Sequence, residues 1–233
     1  MKWQSRFAYG EELYLQKGIR LFASVLSAAI SGMEVCPVQV EADVSSGLPC
    51  FTMVGFPSTQ VKEAQDRVRT ALKNNGISLP PKKVTVNLAP ADLRKEGAGF
   101  DLPVAAAVLA ASGFIEPQLL RNVMVVGELS LNGEVRSVSG VLPRVIRARE
   151  LGCRYCIIPF ENLAEGALVK DMKVVGVQNI KESLLNTAVK LSNLKDKVNS
   201  QRKLSYSNLV NNIISDGIIE ISLKDDFDVN GYQ

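Results

Sequence analysis

Asp101-Leu102-Pro103-Val104-Ala105-Ala106-Ala107-Val108-Leu109-Ala110-Ala111-Ser112 is the run whose reading decides the fold. Its length suits a helix, Pro103 falls in the first turn where a missing N–H is tolerated, and Gly113 supplies the stop. The run is apolar on every side, so it has no face to turn toward water and must be a buried helix.

Upstream, Lys83 to Leu88 reads as a strand, followed by a loop from Ala89 to Gly99 that is rich in charge, proline and glycine. Before it, Val61, Ala64, Val68, Ala71 and Leu72 recur with helical period, with Ser58 or Thr59 placed as N-cap and Gly76 as stop. Earlier still, Val38-Gln39-Val40-Glu41-Ala42-Asp43-Val44 alternates strictly, the pattern of a strand with one buried and one wet face. Phe22 to Ile30 reads as its antiparallel partner across a connection containing Gly32, Glu34 and Pro37, and Phe51 to Val54 as a third strand.

The second half repeats the alternation. Strands are expected at Val123 to Val126, Tyr155 to Ile158 and Lys173 to Val177, with a hairpin around Asn132-Gly133. Helices are expected from Ser139 to Leu151, near Glu161 to Val169, and from Ile180 to Leu191. The fold class is therefore α+β, an α/β sandwich with mixed strand order. Residues 1–20 read as an N-terminal extension, 21–191 as one domain, and 192–233, rich in Lys, Asn, Ser and Asp, as linker.

At 233 residues with 46% hydrophobic and 22% charged side chains, the chain has the composition of a globular protein, not a disordered or fibrous one. A net charge of +3 is too small to decide a partner, so basic residues matter only where they cluster. Cys153 and Cys156 have C-x-x-C spacing, yet the chain has no histidine and no second such pair to complete a zinc site. Buried, reduced, structural thiols are the expectation for Cys36, Cys50, Cys153 and Cys156. The apolar stretch Ile19 to Ile30 is interrupted by Ser24 and Ser27 and merges into a strand pattern, so a cytoplasmic location without membrane contact is expected.

Two groups of residues are candidates for contacts. Lys62, Arg69 and Lys73 recur at spacings of seven and four, opposite Val61, Ala64 and Val68; with Arg67, Lys82 and Lys83 they form the candidate phosphate-binding set. No aromatic residue interleaves with them in sequence, which argues against base stacking. Asp92, Arg94, Lys95 and Glu96, on the glycine-flanked loop, are expected to be exposed and to contact a protein partner.

Three stretches resemble the amino-terminal, magnesium-chelatase-like domain of the ComM/YifB family. They are Val38 to Val44 through Gly47-Leu48-Pro49 to Gly55; Val86-Asn87-Leu88-Ala89-Pro90-Ala91-Asp92-Leu93-Arg94-Lys95-Glu96-Gly97; and Gly127-Glu128-Leu129-Ser130-Leu131-Asn132-Gly133. The resemblance implies a fold like domain 2 of ribosomal protein S5, shared with the Lon protease domain. It also implies an accessory role beside an AAA+ ATPase that forms a ring and processes branched DNA during natural transformation. Residues 226–233 are similar to the segment that opens the AAA+ module, with Tyr232 interrupting the pattern. ATP and magnesium are implied for such a full-length protein only, since the sequence contains no G-x-x-x-x-G-K-[ST]. The implied partners are DNA and neighbouring copies in the ring.

A Lon-like peptidase is the rival from the enzyme class, and a magnesium chelatase subunit is another. The Lon-type peptidase needs a serine activated by a lysine. Aligned on the family's motifs, Gly99 stands opposite the serine and Leu142 opposite the lysine, so no catalytic residue is assigned.

Overall fold

The computed structural model describes residues 21–180 and the backbone of Ile219–Ile221. The expected extension at 1–20, most of the final helix from Ile180 to Leu191, and the linker apart from 219–221 lie outside the described residues.

Strands Leu21–Ser31 (β1) and Glu34–Ser45 (β2) pair antiparallel, in register from Leu21↔Val44 to Ser31↔Glu34, so the hairpin turn is only Gly32-Met33. The expected wider break at Pro37 is corrected: Pro37 lies within β2, opposite Ala28. A proline is tolerated there because the other neighbour of β2, strand Lys83–Ala89 (β4), pairs with it only from Gln39 onward, and the missing N–H breaks no ladder on that side.

The remaining strands are Cys50–Val54 (β3), Val123–Val125 (β5), Glu128–Leu129 (β6), Val135–Arg136 (β7), Tyr155–Pro159 (β8), Lys173–Val177 (β9) and Ile219–Ile221 (β10). Eight of them form one sheet in the order β10-β9-β8-β5-β1-β2-β4-β3, while β6 and β7 form the expected separate hairpin. Neighbours β1–β5, β5–β8, β8–β9 and β3–β4 run parallel, and the rest antiparallel. Within the span read as linker, β10 extends this sheet beyond β9.

Two cores lie on opposite faces of the sheet, as side-chain alternation along each strand requires. On one face, Ala23 and Val25 of β1, Val38, Val40, Ala42 and Val44 of β2, and Val84, Val86 and Leu88 of β4 pack against helices Ala64–Asn74 (α2) and Asp101–Ala111 (α3). Every residue of α3 is buried, as the all-apolar run predicts. On the other face, Ala28, Met124, Cys156, Ile158 and Val174 meet helices Val141–Glu150 (α4) and Leu163–Gly166 (α5). These two helices cover only part of that face. Around β1, β2 and β4 it is polar, with Ser24 donating to Gln39 and Asn87 to Glu41.

The expected single helix after Gly55 is Thr59–Lys62 (α1) followed by α2. Ser58 caps α1 by accepting from the Val61 amide at 3.3 Å, and a tighter turn at Glu63, whose carbonyl accepts from Asp66 as well as Arg67, separates the two segments. Of the four cysteines only Cys156 is fully buried; Cys36 and Cys153 are half-buried and Cys50 is exposed, which corrects the expectation that all four lie inside. Among the described residues no helix is long and apolar enough to cross a membrane.

Candidate nucleic-acid interface

Arg69 and Lys73 sit one turn apart on the outer face of α2, with Val68, Ala71 and Leu72 holding the opposite face in the core. Gly76, at φ 74°, ends the helix in the left-handed conformation. The Ile77 amide then donates to the Leu72 carbonyl at 2.9 Å, which tucks Ile77 inward and turns the chain back toward the sheet. The returning segment Ser78 to Pro81 brings up Lys82, whose amide donates to the Pro80 carbonyl at 2.7 Å.

Arg69, Lys73 and Lys82 consequently line one surface cleft of about 540 Å3, together with Thr70, Phe51, Ile77, Leu79, Pro80 and Pro81. None of the lining residues is acidic. Among the described residues none of these three cations has a carboxylate within 4.0 Å. Three unpaired positive charges converging on a concave surface attract a polyanion, because low-dielectric walls focus the field.

The other sequence candidates are placed differently. Lys62 on α1 and Lys83 at the start of β4 are exposed but do not line the cleft. Arg67 is committed elsewhere: Nε donates to Asp101 Oδ2 at 2.7 Å, Nη2 donates to Oδ1 at 2.9 Å and to the Gln60 carbonyl at 3.0 Å, and Glu63 stands 3.5 Å from Nη1. Asp101 is wholly buried at the start of α3 and also accepts the Leu129 amide at 3.1 Å. Burial pushes its carboxyl above the usual range despite these bonds, whereas the bond to Asp101 raises the pKa of Arg67. Arg67 is thus a tertiary brace between α2 and the start of α3.

Lys95 corrects the expectation for its loop most plainly, since its side chain is fully buried. Nζ donates to the main-chain carbonyls of Gly55, at 2.9 Å, and of Pro90. The Lys95 backbone bonds the same neighbouring turn, its amide donating to Phe56 and its carbonyl accepting from Ser58. Burial lowers its pKa, opposed only by the charge of Asp92. Asp92, Arg94 and Glu96 are exposed, and Arg94 pairs with Glu96 at 3.0 Å.

The sequence pattern missed Phe51. It is half-buried on β3, remote in sequence from Arg69 and Lys82, yet it lines the same cleft. At the positions aligned with a serine–lysine pair, Gly99 faces Val126, Val138 and Arg144, and Leu142 donates its amide to Glu165 at 2.8 Å.

Fold and cleft together define a mixed α/β sandwich domain with a cationic surface groove. The chain belongs to the family described as subunit ChlI of Mg-chelatase, whose pattern matches residues 40–162, more than half of its length. It is similar to competence protein ComM of Haemophilus influenzae, at 45% identity over 158 residues, 68% of this chain and 31% of that protein. YifB of Salmonella typhimurium is 47% identical over 147 residues, 63% of this chain and 29% of YifB. A more distant relative is DNA repair protein RadA of Halalkalibacterium halodurans, at 28% identity over 74% of this chain and 37% of RadA. The chain thus spans less than a third of ComM and YifB.

The sequence has no P-loop signature, and among the described residues no group of three or more Cys, Asp or Glu side chains is arranged to hold an ion.

Proposed function

We propose that this chain is a noncatalytic accessory domain of an AAA+ protein, which guides DNA along the cleft of Arg69, Lys73 and Lys82 and helps order the ATPase ring. The observation that carries the DNA reading is the cleft itself: three cations from two separate segments, with no acid among its lining residues. Such a surface contacts phosphates and is indifferent to sequence. A distant relative is named a DNA repair protein, which agrees with a role in DNA processing such as branch migration. Gly99 and Leu142 offer no nucleophile and no base, so peptidase chemistry has no support in these side chains.

Ring contact has its own observation. Among the described residues strand β3 is an edge of the sheet; Val54 at its end is 43% exposed, and Leu48 and Phe56 beside it are 88% and 58% exposed. An apolar edge next to the charged loop of Asp92, Arg94 and Glu96 suits a protein neighbour.

Fluorescence anisotropy of labelled duplex, branched and single-stranded DNA tests the DNA reading, with the wild type beside a variant carrying Arg69→Ala, Lys73→Ala and Lys82→Ala. Binding at low salt that the triple variant loses supports it. Absence of binding at low salt removes the DNA role and leaves ring contact.

A further inference from the structure

The cleft of Arg69, Lys73 and Lys82 has an apolar interior that a surface made only for phosphates does not need. Phe51 of β3 and Leu79 of the returning segment are half-buried; they pack against the core and also line the cleft, beside the buried Ile77. Pro80 and Pro81 border it, and their fixed φ angles leave this wall little freedom to collapse.

Size narrows what enters. A volume of about 540 Å3 lies within the range of small-ligand clefts, roughly 300 to 1,000 Å3, which are likewise apolar and aromatic with a few polar groups. A duplex can offer such a cleft only phosphates and sugars, because its bases are stacked inside. An unpaired nucleotide offers a flat apolar base and, on either side of it, a phosphate. Those are the two chemistries that Phe51 and the three cations match.

We propose that the cleft takes one unpaired nucleotide of a DNA strand, its base lying against Phe51 and the adjoining phosphates meeting Arg69, Lys73 and Lys82. The proposal rests on the DNA reading above and narrows it from any phosphate backbone to a strand whose bases are free, as at a branch point. The parts come from separate elements: the ring from β3, two cations from the packed helix α2 and the third from the segment leading into β4. Every base has an apolar face, so capture by stacking remains indifferent to sequence.

The test uses the full chain and compares a short oligothymidylate with an abasic strand of the same length and charge, by competition binding at one salt concentration. The wild type is expected to bind the oligothymidylate about tenfold more tightly. Phe51→Leu is expected to lose most of that preference while its affinity for the abasic strand stays unchanged, which also shows that the variant is folded. Equal affinity of the wild type for the two strands would overturn the proposal, and so would a Phe51→Leu variant that keeps the full preference. In either case, abasic-strand binding that is lost in a variant carrying Arg69→Gln, Lys73→Gln and Lys82→Gln would leave the phosphate-binding cleft in place. Failure of the wild type to bind either strand at low salt would overturn both.

Discussion

Lys95 Nζ donates to the main-chain carbonyl of Gly55 at 2.9 Å, joining the loop after β4 to the turn after β3 through a fully buried amine. Pro90 supplies the second carbonyl to which Nζ donates, and burial lowers the pKa of the amine.

Lys95→Met is therefore expected to destabilise the domain by about 1 to 3 kcal/mol, by leaving both carbonyls unpaired. The pH dependence has a definite sign. A lysine whose folded pKa is depressed binds its proton more weakly in the folded state, so its contribution grows as pH rises from that folded pKa toward the ordinary lysine value. Urea unfolding across the alkaline range should show the gap between wild type and Lys95→Met widening with pH.

Arg67→Ala should cost about 3 to 5 kcal/mol, because it strands the buried Asp101 carboxylate. Asp101 already has a raised pKa, and loss of the guanidinium raises it further. Stability linked to that group is present at low pH and lost as pH rises through the folded pKa. The deficit of Arg67→Ala, measured by chemical denaturation, should accordingly shrink on acidification from neutral pH, and Arg67→Ala with Asp101→Asn should lose most of that dependence.

Gly55 has φ 91°, and a Cβ there would collide with the backbone of Leu88 on β4. Strand β3 lies beside β4 with its end close against it, so Gly55→Ala must push the two apart. Strain and lost pairing together should lower stability by about 2 kcal/mol or more, read as an earlier midpoint in thermal unfolding.

Phe51 brings an aromatic side chain to a cleft otherwise defined by cations. Phe51→Leu keeps an apolar side chain on β3 but removes the ring. It should weaken single-stranded DNA by roughly 1 to 3 kcal/mol if a base stacks there, and leave duplex affinity within about 0.5 kcal/mol, as competition binding would show.

Much of the fold was legible because burial imposes period. The alternation from Val38 to Val44 marked β2, and the all-apolar run from Asp101 marked a helix enclosed on every side. Pro37 misled because its place in a strand depends on where β4 stops pairing, a tertiary fact. The candidate cleft was half legible. Arg69 and Lys73 follow from helical spacing, but Lys82 and Phe51 join them only through the turn at Gly76 and the position of β3. Lys95 and Arg67 looked like surface charges because nothing local records burial. One available signal was Asp101, a lone carboxylate opening an apolar helix, which needs a cation from elsewhere; Arg67 is that cation.

The most direct test of the cleft as a phosphate-binding surface is the slope of log binding constant against log salt for duplex DNA, compared between wild type and a variant carrying Arg69→Gln, Lys73→Gln and Lys82→Gln. Each phosphate contact contributes roughly 0.9 to the slope, so the variant is predicted to flatten it by about 2 to 3 while remaining folded. An unchanged slope, with unchanged affinity, would contradict the assignment and place any DNA contact elsewhere on the domain.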